Sequence, residues 1–390
     1  MKKLYYKDSY LNRVETVITE IKSVDKAVWL RFDATIFYPG GGGQLPDKGT
    51  LNNLPVLEVK EENSHIWHKV ANDVDWKPGQ IVEQQLDWTW RYYNMQQHSG
   101  QHLLSRIMET EDLKTVSVHL GKDHTLIEVE GAFPDEQQLL ALEQQANDLL
   151  REARPLVIHE VSRQEISRFP LRKPPGTWRQ IRVVEIMDYD YSACGGTHVK
   201  NTAEIGYIKW LGLEKIRGHA RIKWLIGQKA DAHLRKIFQN MQNVKTELQC
   251  EPEQFAERIA TLKNEVGNLR KENKVYKRSH LHLRAMELNK AHENSTKAVV
   301  AELHPEEISY LPDLAKILAA EYAQVAFLIS QDRFCLVSPN EQHLSTSEFM
   351  DNYRDTLGLR GGGPPGFVQG IIQKADKELI AGCLKVAIEK

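Results

Sequence analysis

Cysteine is scarce: four residues, Cys194, Cys250, Cys335 and Cys383, lie unevenly spaced along 390 positions. That spacing excludes a disulfide framework as the organising device and fits a chain kept reduced. Long apolar runs are also missing. No stretch of roughly 18 apolar residues occurs, which excludes a helical membrane span. The first ten residues are polar and aromatic and hold no apolar signal-peptide core, so a cytoplasmic location is the expectation. Charge of one sign is lacking as well. The net charge is −2, and the chain as a whole carries no basic footprint for nucleic acid. An excess of Lys and Arg is confined to residues 231–299, where a solvated helix surface explains it equally well, and residues 300–390 are acidic.

What remains is the composition of a water-facing globular protein, with 41 % hydrophobic and 27 % charged residues and length for two to four domains. The pattern predicts an α+β protein in four parts. Residues 1–86 carry short β-branched and aromatic runs, Val14–Ile18 and Ala27–Phe32, interrupted by Gly40 to Gly43; they read as a small N-terminal β-barrel. Residues 87–228 read as an α+β domain. It has a helix over Arg91–Glu109, another from about Pro134 to Arg154, and strands at Leu156–Val161, Ile181–Ile186, near Gly206–Trp210 and at Arg221–Ile226. Residues 229–296 keep apolar positions three and four apart, from Ile237 to Leu248 and again from Phe255 to Leu283. A long helical hairpin or a coiled-coil arm would satisfy that spacing, the second as a homodimer contact. Residues 297–390 read as a small C-terminal α/β domain with a glycine cluster at Gly361 to Gly363, which is either a phosphate-binding turn or a plain one, and a last helix over about Gln373 to Ile388.

Two short motifs carry chemistry. His98 and His102 are four apart on a predicted helix, which puts two imidazoles on one face, one turn apart. Far along the chain, Cys194-Gly-Gly-Thr-His198 adds a thiolate and a third imidazole around a flexible turn. Either half alone is commonplace. Together they make a Cys-plus-three-His set suited to Zn²⁺. Four protein ligands would close a tetrahedral ion, so catalysis would require His198 to bind weakly, the ion to expand its coordination, or zinc to act only in positioning substrate. Asp188 and Asp190, just before the turn, are candidates to orient a ligand imidazole or plain surface acids. His65, His68, His119 and His124 have no such pairing and read as surface or structural.

Phe37-Tyr-Pro-Gly-Gly-Gly-Gly-Gln44, Gln97-His-Ser-Gly-Gln-His102-Leu-Leu and Ala193-Cys-Gly-Gly-Thr-His198 follow one another in that order. In this the chain resembles the editing domain of alanyl-tRNA synthetase and its freestanding relatives, the AlaX alanyl-tRNA editing proteins, over roughly residues 1–230. The segment beyond is similar to the C-terminal, DHH-associated part of the same synthetase. The resemblance implies a trans-editing hydrolase. Its partner would be tRNA(Ala) mischarged with serine or glycine, and zinc would be held by His98, His102, Cys194 and His198. It also implies that Thr35 and Gln44 act in the reaction and that Gly41, Gly42 and Gly43 approach the substrate. Ser99 stands where the family often has threonine, which keeps a hydroxyl. Pro364-Pro365-Gly366 follows the triple glycine where the family usually has a basic residue, which weakens any grip of that domain on tRNA. No aminoacylation activity is expected.

The need for such an enzyme follows from binding physics. A pocket sized for alanine rejects serine only about 10²-fold, so a second, hydrolytic site is required. Two other readings stay open on the residues: a deacylase of another mischarged tRNA such as Ser-tRNA(Thr), and a nonhydrolytic RNA-binding protein with structural zinc.

Overall fold

A computed structural model describes residues 1–24, 27–71, 75–176, 180–216, 218–293, 298–374 and 376–389. The chain is of mixed α+β class and forms two compact units, Met1–Val244 and Lys245–Lys390.

The first unit begins with a seven-stranded sheet built from β1 (Arg13–Val24), β2 (Ala27–Phe32), β3 (Gly49–Leu51), β4 (Leu54–Pro55), β5 (Glu58–Glu62), β6 (His65–Ala71) and β7 (Ile81–Leu86), in the order β4-β3-β7-β1-β2-β6-β5. The twelve-residue β1 serves two neighbours, β7 along Arg13–Val17 and β2 from Ile18 onward, with a bulge between Ile18 and Glu20. Such a bulge bends a strand and increases its twist, which curls the sheet. Its inner face buries Ile18, Val28, Leu30, Phe32, Phe37, Ile66 and Val82. No ladder joins β4 to β5 among the described residues, so the barrel read from the sequence is a curled, open sheet here.

Helix α1 (Trp88–Thr110) follows. Asp87 caps it by accepting from the Trp90 amide, which satisfies one of the orphan donors of the first turn. This helix is buried on nearly all sides although it is rich in Gln, His and Ser, an arrangement that demands internal partners for those side chains. One partner ties it to the glycine motif: Arg91 forms a two-pronged ion pair with Asp47 and also donates to the carbonyls of Ser9 and Ile36, at 2.8 and 2.6 Å. Asp47 in turn accepts from the Tyr38 amide at 2.6 Å. Removing one member of a buried pair costs about 3–5 kcal/mol, so this link fixes the Tyr38–Asp47 loop against α1.

Strands β8 (Lys114–Leu120) and β9 (Thr125–Glu130), helix α2 (Glu136–Arg151), and strands β10 (Leu156–Ser162), β11 (Gln180–Ile186), β12 (Asp190–Ala193), β13 (Ile208–Ile216) and β14 (His219–Ile226) complete the site-bearing part. They make a four-stranded sheet, β8-β9-β14-β13, and a three-stranded one, β10-β11-β12. Asp135 and Gln138 form a capping box at the start of α2. Leu139, Leu142, Ala146, Leu149 and Leu150 then share one core with Leu103, Ile107, Ile127, Ile222 and Trp224. Each such leucine contributes about 1.5–3 kcal/mol, which holds α1 between the sheet and α2.

Helix α3 (Gln228–Leu248) crosses the boundary of the two units, and helix α4 (Phe255–Ala291) belongs to the second. The predicted end of the arm, at residues 294–296, lies outside the described residues. Along α4 the apolar positions Ile259, Val266, Leu269, Tyr276 and Leu283 are exposed, whereas Leu281, Ala285 and Leu288 enter the core of the second unit. That core is covered by a five-stranded sheet, in which β15 (Ala298–Glu302) pairs parallel with β16 (Val325–Ser330), followed by β17 (Arg333–Val337), β19 (Phe367–Ile372) and β18 (Leu359–Gly362). Gly361 and Gly362 pair with Gly370 and Gln369 within that sheet, so the glycine cluster begins as a strand and not as a phosphate-cradling turn. Asp376 caps the last helix, α7 in a series with α5 (Leu311–Tyr322) and α6 (Thr346–Leu357), and sets its start at Lys377, later than the sequence pattern placed it.

Candidate metal centre

His98 and His102 project from the middle of α1, and Cys194 and His198 from the turn after β12. Although members of the two pairs lie 92 (His102 to Cys194) to 100 (His98 to His198) residues apart in sequence, one ligand atom from each of the four side chains falls within 4.8 Å of the others. The Cys194 Sγ is 3.3 Å from His98 Nε2 and 3.4 Å from His198 Nε2. All three histidines are buried, and Cys194 is half-buried.

Two of the three imidazoles are oriented by a hydrogen bond through the other nitrogen, and the third faces a carboxylate. His98 Nδ1 donates to Gln44 Oε1 at 2.8 Å. His198 Nδ1 meets Ser99 Oγ at 3.1 Å. His102 Nδ1 faces Asp190 Oδ2 at 3.7 Å, beyond hydrogen-bond reach, and Asp190 is itself held by Arg172 and Ser192. Outer partners of this kind fix tautomer and ring angle and leave Nε2 for a cation. Gln44 is further anchored by Thr197, whose amide and hydroxyl it engages at 3.0 and 2.8 Å.

The turn is shaped by one glycine in particular. A Cβ on Gly196 would stand 2.1 Å from His98 Cε1 and 2.8 Å from Gln44 Oε1. No side chain fits there without displacing a ligand. Arg182 supports the turn from beneath, its Nη1 donating to the carbonyls of Cys194 and Gly196 at 2.9 and 2.8 Å.

The electrostatics are those of a cation site. Burial raises the Cys194 thiol, but His98, His198 and His102 outweigh it and hold its pKa well below the ordinary thiol value. Burial lowers His102, yet Cys194 and Asp190 push it up to about 9. His198 is lowered to about 3, by burial first and then by His98. Burial raises Asp190, and His102 and Arg172 bring it below the usual carboxylate range. A thiolate among imidazoles is a donor set for a soft or borderline divalent ion, and the residues present fit zinc.

The other sequence candidates fall in two groups. Gln44 joins the cluster. Gly41, Gly42 and Gly43 form the tight turn before it, all with positive φ, closed by the paired amides and carbonyls of Gly41 and Gln44. Thr35 is elsewhere: it is fully buried on the two-residue strand Ala34–Thr35, which pairs with Lys2–Lys3, with its hydroxyl 2.9 Å from His68 Nε2 and 3.1 Å from Gln84 Oε1, accepting from the Phe37 amide at 3.1 Å. Of the two acids before the turn, Asp190 faces a ligand and Asp188 does not; Asp188 takes a positive φ in the turn between β11 and β12. Ser99, Thr197, Arg172 and Arg182 receive no role from sequence alone, beyond Ser99 as the hydroxyl kept beside His98. The first two flank ligands directly, which is a usable signal; the arginines have none.

A cavity of about 540 Å³ is lined by Cys194, Gly195, Arg182, Tyr6 and Lys3, and one of about 210 Å³ by His102, Gln101, Thr115, Arg172 and Ser192.

Comparison with known proteins agrees with this geometry. Residues 181–222 match the family model for the threonyl and alanyl tRNA synthetase second additional domain. The chain is 28 % identical to alanyl-tRNA editing protein AlaX-L of Pyrococcus horikoshii, over 100 % of this chain and 98 % of that protein. It is 32 % identical to rat alanyl-tRNA editing protein Aarsd1, over 61 % of this chain and 59 % of that one. It is 37 % identical to AlaX-M of Pyrococcus horikoshii over 57 % of its own length and 97 % of that protein. With nearly the whole of AlaX-M covered at 37 % identity, the chain belongs to the family of alanyl-tRNA editing proteins.

Proposed function

We propose that this protein is a zinc-using, trans-editing hydrolase of tRNA(Ala) mischarged with serine or glycine, without aminoacylation activity. The observation that carries the reading is the cluster of His98, His102, Cys194 and His198, with all three Nε2 atoms available and Nδ1 turned to other groups. Zinc bound there supplies a Lewis acid that polarises the ester carbonyl or activates the attacking water. The chain's own residues do the rest. Gln44 and Thr197 hold His98, Ser99 holds His198, and the Arg172–Asp190 pair stands behind His102. These contacts keep the ligands from reorganising as charge develops on the substrate. Gly41 to Gly43 place backbone beside Gln44, and we assign them to the approach of the terminal adenosine. Thr35 is the proposed discriminator of the serine hydroxyl. Family membership favours alanine tRNA over Ser-tRNA(Thr) as the substrate.

The test is deacylation of Ser-, Gly- and Ala-tRNA(Ala) side by side, together with Ser-tRNA(Thr). Release of serine or glycine with little loss of alanine is expected. Turnover that persists at full rate after metal removal would overturn the zinc assignment. Equal rates on all substrates would overturn the editing role. The exposed apolar row on α4 supports self-association, and Leu262→Asp with Leu269→Asp should then lower the mass seen in sedimentation; a monomeric wild type would end that idea.

A further inference from the structure

Among the described residues, Arg182 is the arginine whose buried guanidinium nitrogens lack a partner. It lies on β11, half-buried, beneath the Cys194–Gly196 turn. Its Nη1 is fully used by two carbonyls, those of Cys194 and Gly196. Its Nε and Nη2 are buried and have no hydrogen-bond partner among the described residues. Those two nitrogens share one edge of the planar guanidinium, the side-on edge that presents two parallel N–H groups. Leaving such donors without a partner is costly, and burial already lowers the pKa of this guanidinium. The same residue lines the cavity of about 540 Å³ that also contains Cys194, Gly195, Tyr6 and Lys3. That volume falls within the roughly 300–1,000 Å³ of sites for small organic ligands and has room for a nucleoside.

We propose that the side-on edge of Arg182 binds an oxyanion of the substrate, the phosphate that joins the terminal adenosine to the rest of the tRNA strand. The proposal rests on the hydrolase reading above. A phosphate offers two coplanar acceptors to the two parallel N–H groups, a match that neutral acceptors make less well. The ester-linked amino acid has no free carboxylate, so in the bound substrate the phosphates are its anionic groups. The Tyr6 ring, 5.6 Å from the Arg182 guanidinium carbon, gives the cavity an aromatic wall beside the anion site. Lys3 adds a second cation, already paired with Glu61 at 2.8 Å, and Glu160 stands exposed at the rim. Nε and Nη2 are closed to solvent in the unliganded protein, so the strand reaches them only by displacing what covers the guanidinium; Arg182 then holds the metal turn through Nη1 and receives the strand through Nε and Nη2. The ester would then be fixed relative to Cys194 by one rigid group.

The test uses the zinc-loaded full chain and substrates that differ only in phosphate. With wild type, adenosine 5′-monophosphate should bind at least about tenfold more tightly than adenosine in a calorimetric titration, as a charge-assisted pair implies. Equal affinities would overturn the proposal without any variant. Arg182→Lys should raise KM about tenfold for a 3′-seryl ester of adenosine 5′-monophosphate. On the 3′-seryl ester of adenosine, the loss that comes from the weakened turn should fall on kcat, to the same extent as on the phosphorylated ester, and KM should rise far less than tenfold. An equal rise in KM on both esters would make Arg182 a prop of the turn and nothing more. Failure of wild type to hydrolyse either ester, or mischarged tRNA, would overturn the hydrolase reading, while the nucleotide titration would still decide the anion site.

Discussion

Gln44 Oε1 accepts from His98 Nδ1 at 2.8 Å, so the residue that ends the glycine run is also the one that orients the first imidazole of the cluster. The link joins the Gly41–Gln44 turn to α1 across a sequence separation of 54. It also gives the glycine motif a second purpose: the turn Gly41–Gln44 aims the amide that steadies a ligand.

Gln44→Ala should therefore weaken the metal as well as the reaction. Loss of an outer partner of this kind typically costs about 10–100-fold in metal affinity. Competition with a chromophoric chelator measures it. Unchanged zinc affinity would leave Gln44 as a substrate contact alone.

The two glycines of the Cys194–His198 turn are not equivalent. A Cβ at Gly196 collides with His98 at 2.1 Å, whereas one at Gly195 would meet only the Tyr6 hydroxyl, at 3.4 Å. Gly196→Ala should lose zinc and activity together, and Gly195→Ala should keep its zinc. Equal zinc content in the two variants would contradict the steric account.

Much of this was readable in the sequence because it rests on local spacing. His98 and His102 share a helix face, and Cys194 and His198 share a turn, so each pair needs only one element to be placed correctly. Strands β8 and β9 escaped the reading although Thr115 to Leu120 alternate, because half their residues face solvent and the apolar signal is diluted. The Arg91–Asp47 pair and the Arg172–Asp190 pair were invisible for another reason. Buried ion pairs are made by tertiary contact, and nothing in a single chain's spacing marks which arginine will meet which aspartate. The open sheet was missed likewise, since closure depends on whether the edges β4 and β5 meet, not on strand pattern.

His68 supplies a pH prediction away from the metal. It is fully buried, and burial lowers its pKa to about 4 despite the Leu30 carbonyl beside Nδ1. A histidine held neutral in the folded state stabilises the fold fully above its unfolded pKa of about 6.5. That contribution falls with pH and is gone below about 4, since the unfolded chain takes up the proton first. The span corresponds to about 3 kcal/mol. Urea unfolding of wild type should lose that much between pH 6.5 and 4, and His68→Gln should lose correspondingly less. Parallel pH curves for the two proteins would exclude the assignment.

Thr35 is the sharpest test of selectivity, because its hydroxyl is already engaged. Assigning the neutral His68 ring with its proton on Nδ1, toward the Leu30 carbonyl at 3.2 Å, makes Nε2 an acceptor for the Thr35 hydroxyl. The Phe37 amide then takes one oxygen lone pair, at 3.1 Å, and one remains. A threonine so committed can only accept a further hydrogen bond. Serine's hydroxyl can donate it; alanine has nothing to give. Thr35→Val keeps the shape but strands His68 Nε2 and the Phe37 amide, at about 1–3 kcal/mol for each buried group, so Tm should fall. The serine-over-alanine ratio should fall about tenfold, the equivalent of one hydrogen bond, chiefly through slower release of serine. The measurement is the pair of deacylation rates on Ser- and Ala-tRNA(Ala) at a temperature where the variant is folded. A variant that loses Tm yet retains the wild-type ratio would make Thr35 a buried structural residue only, and selectivity would then rest with Gln44 or the metal.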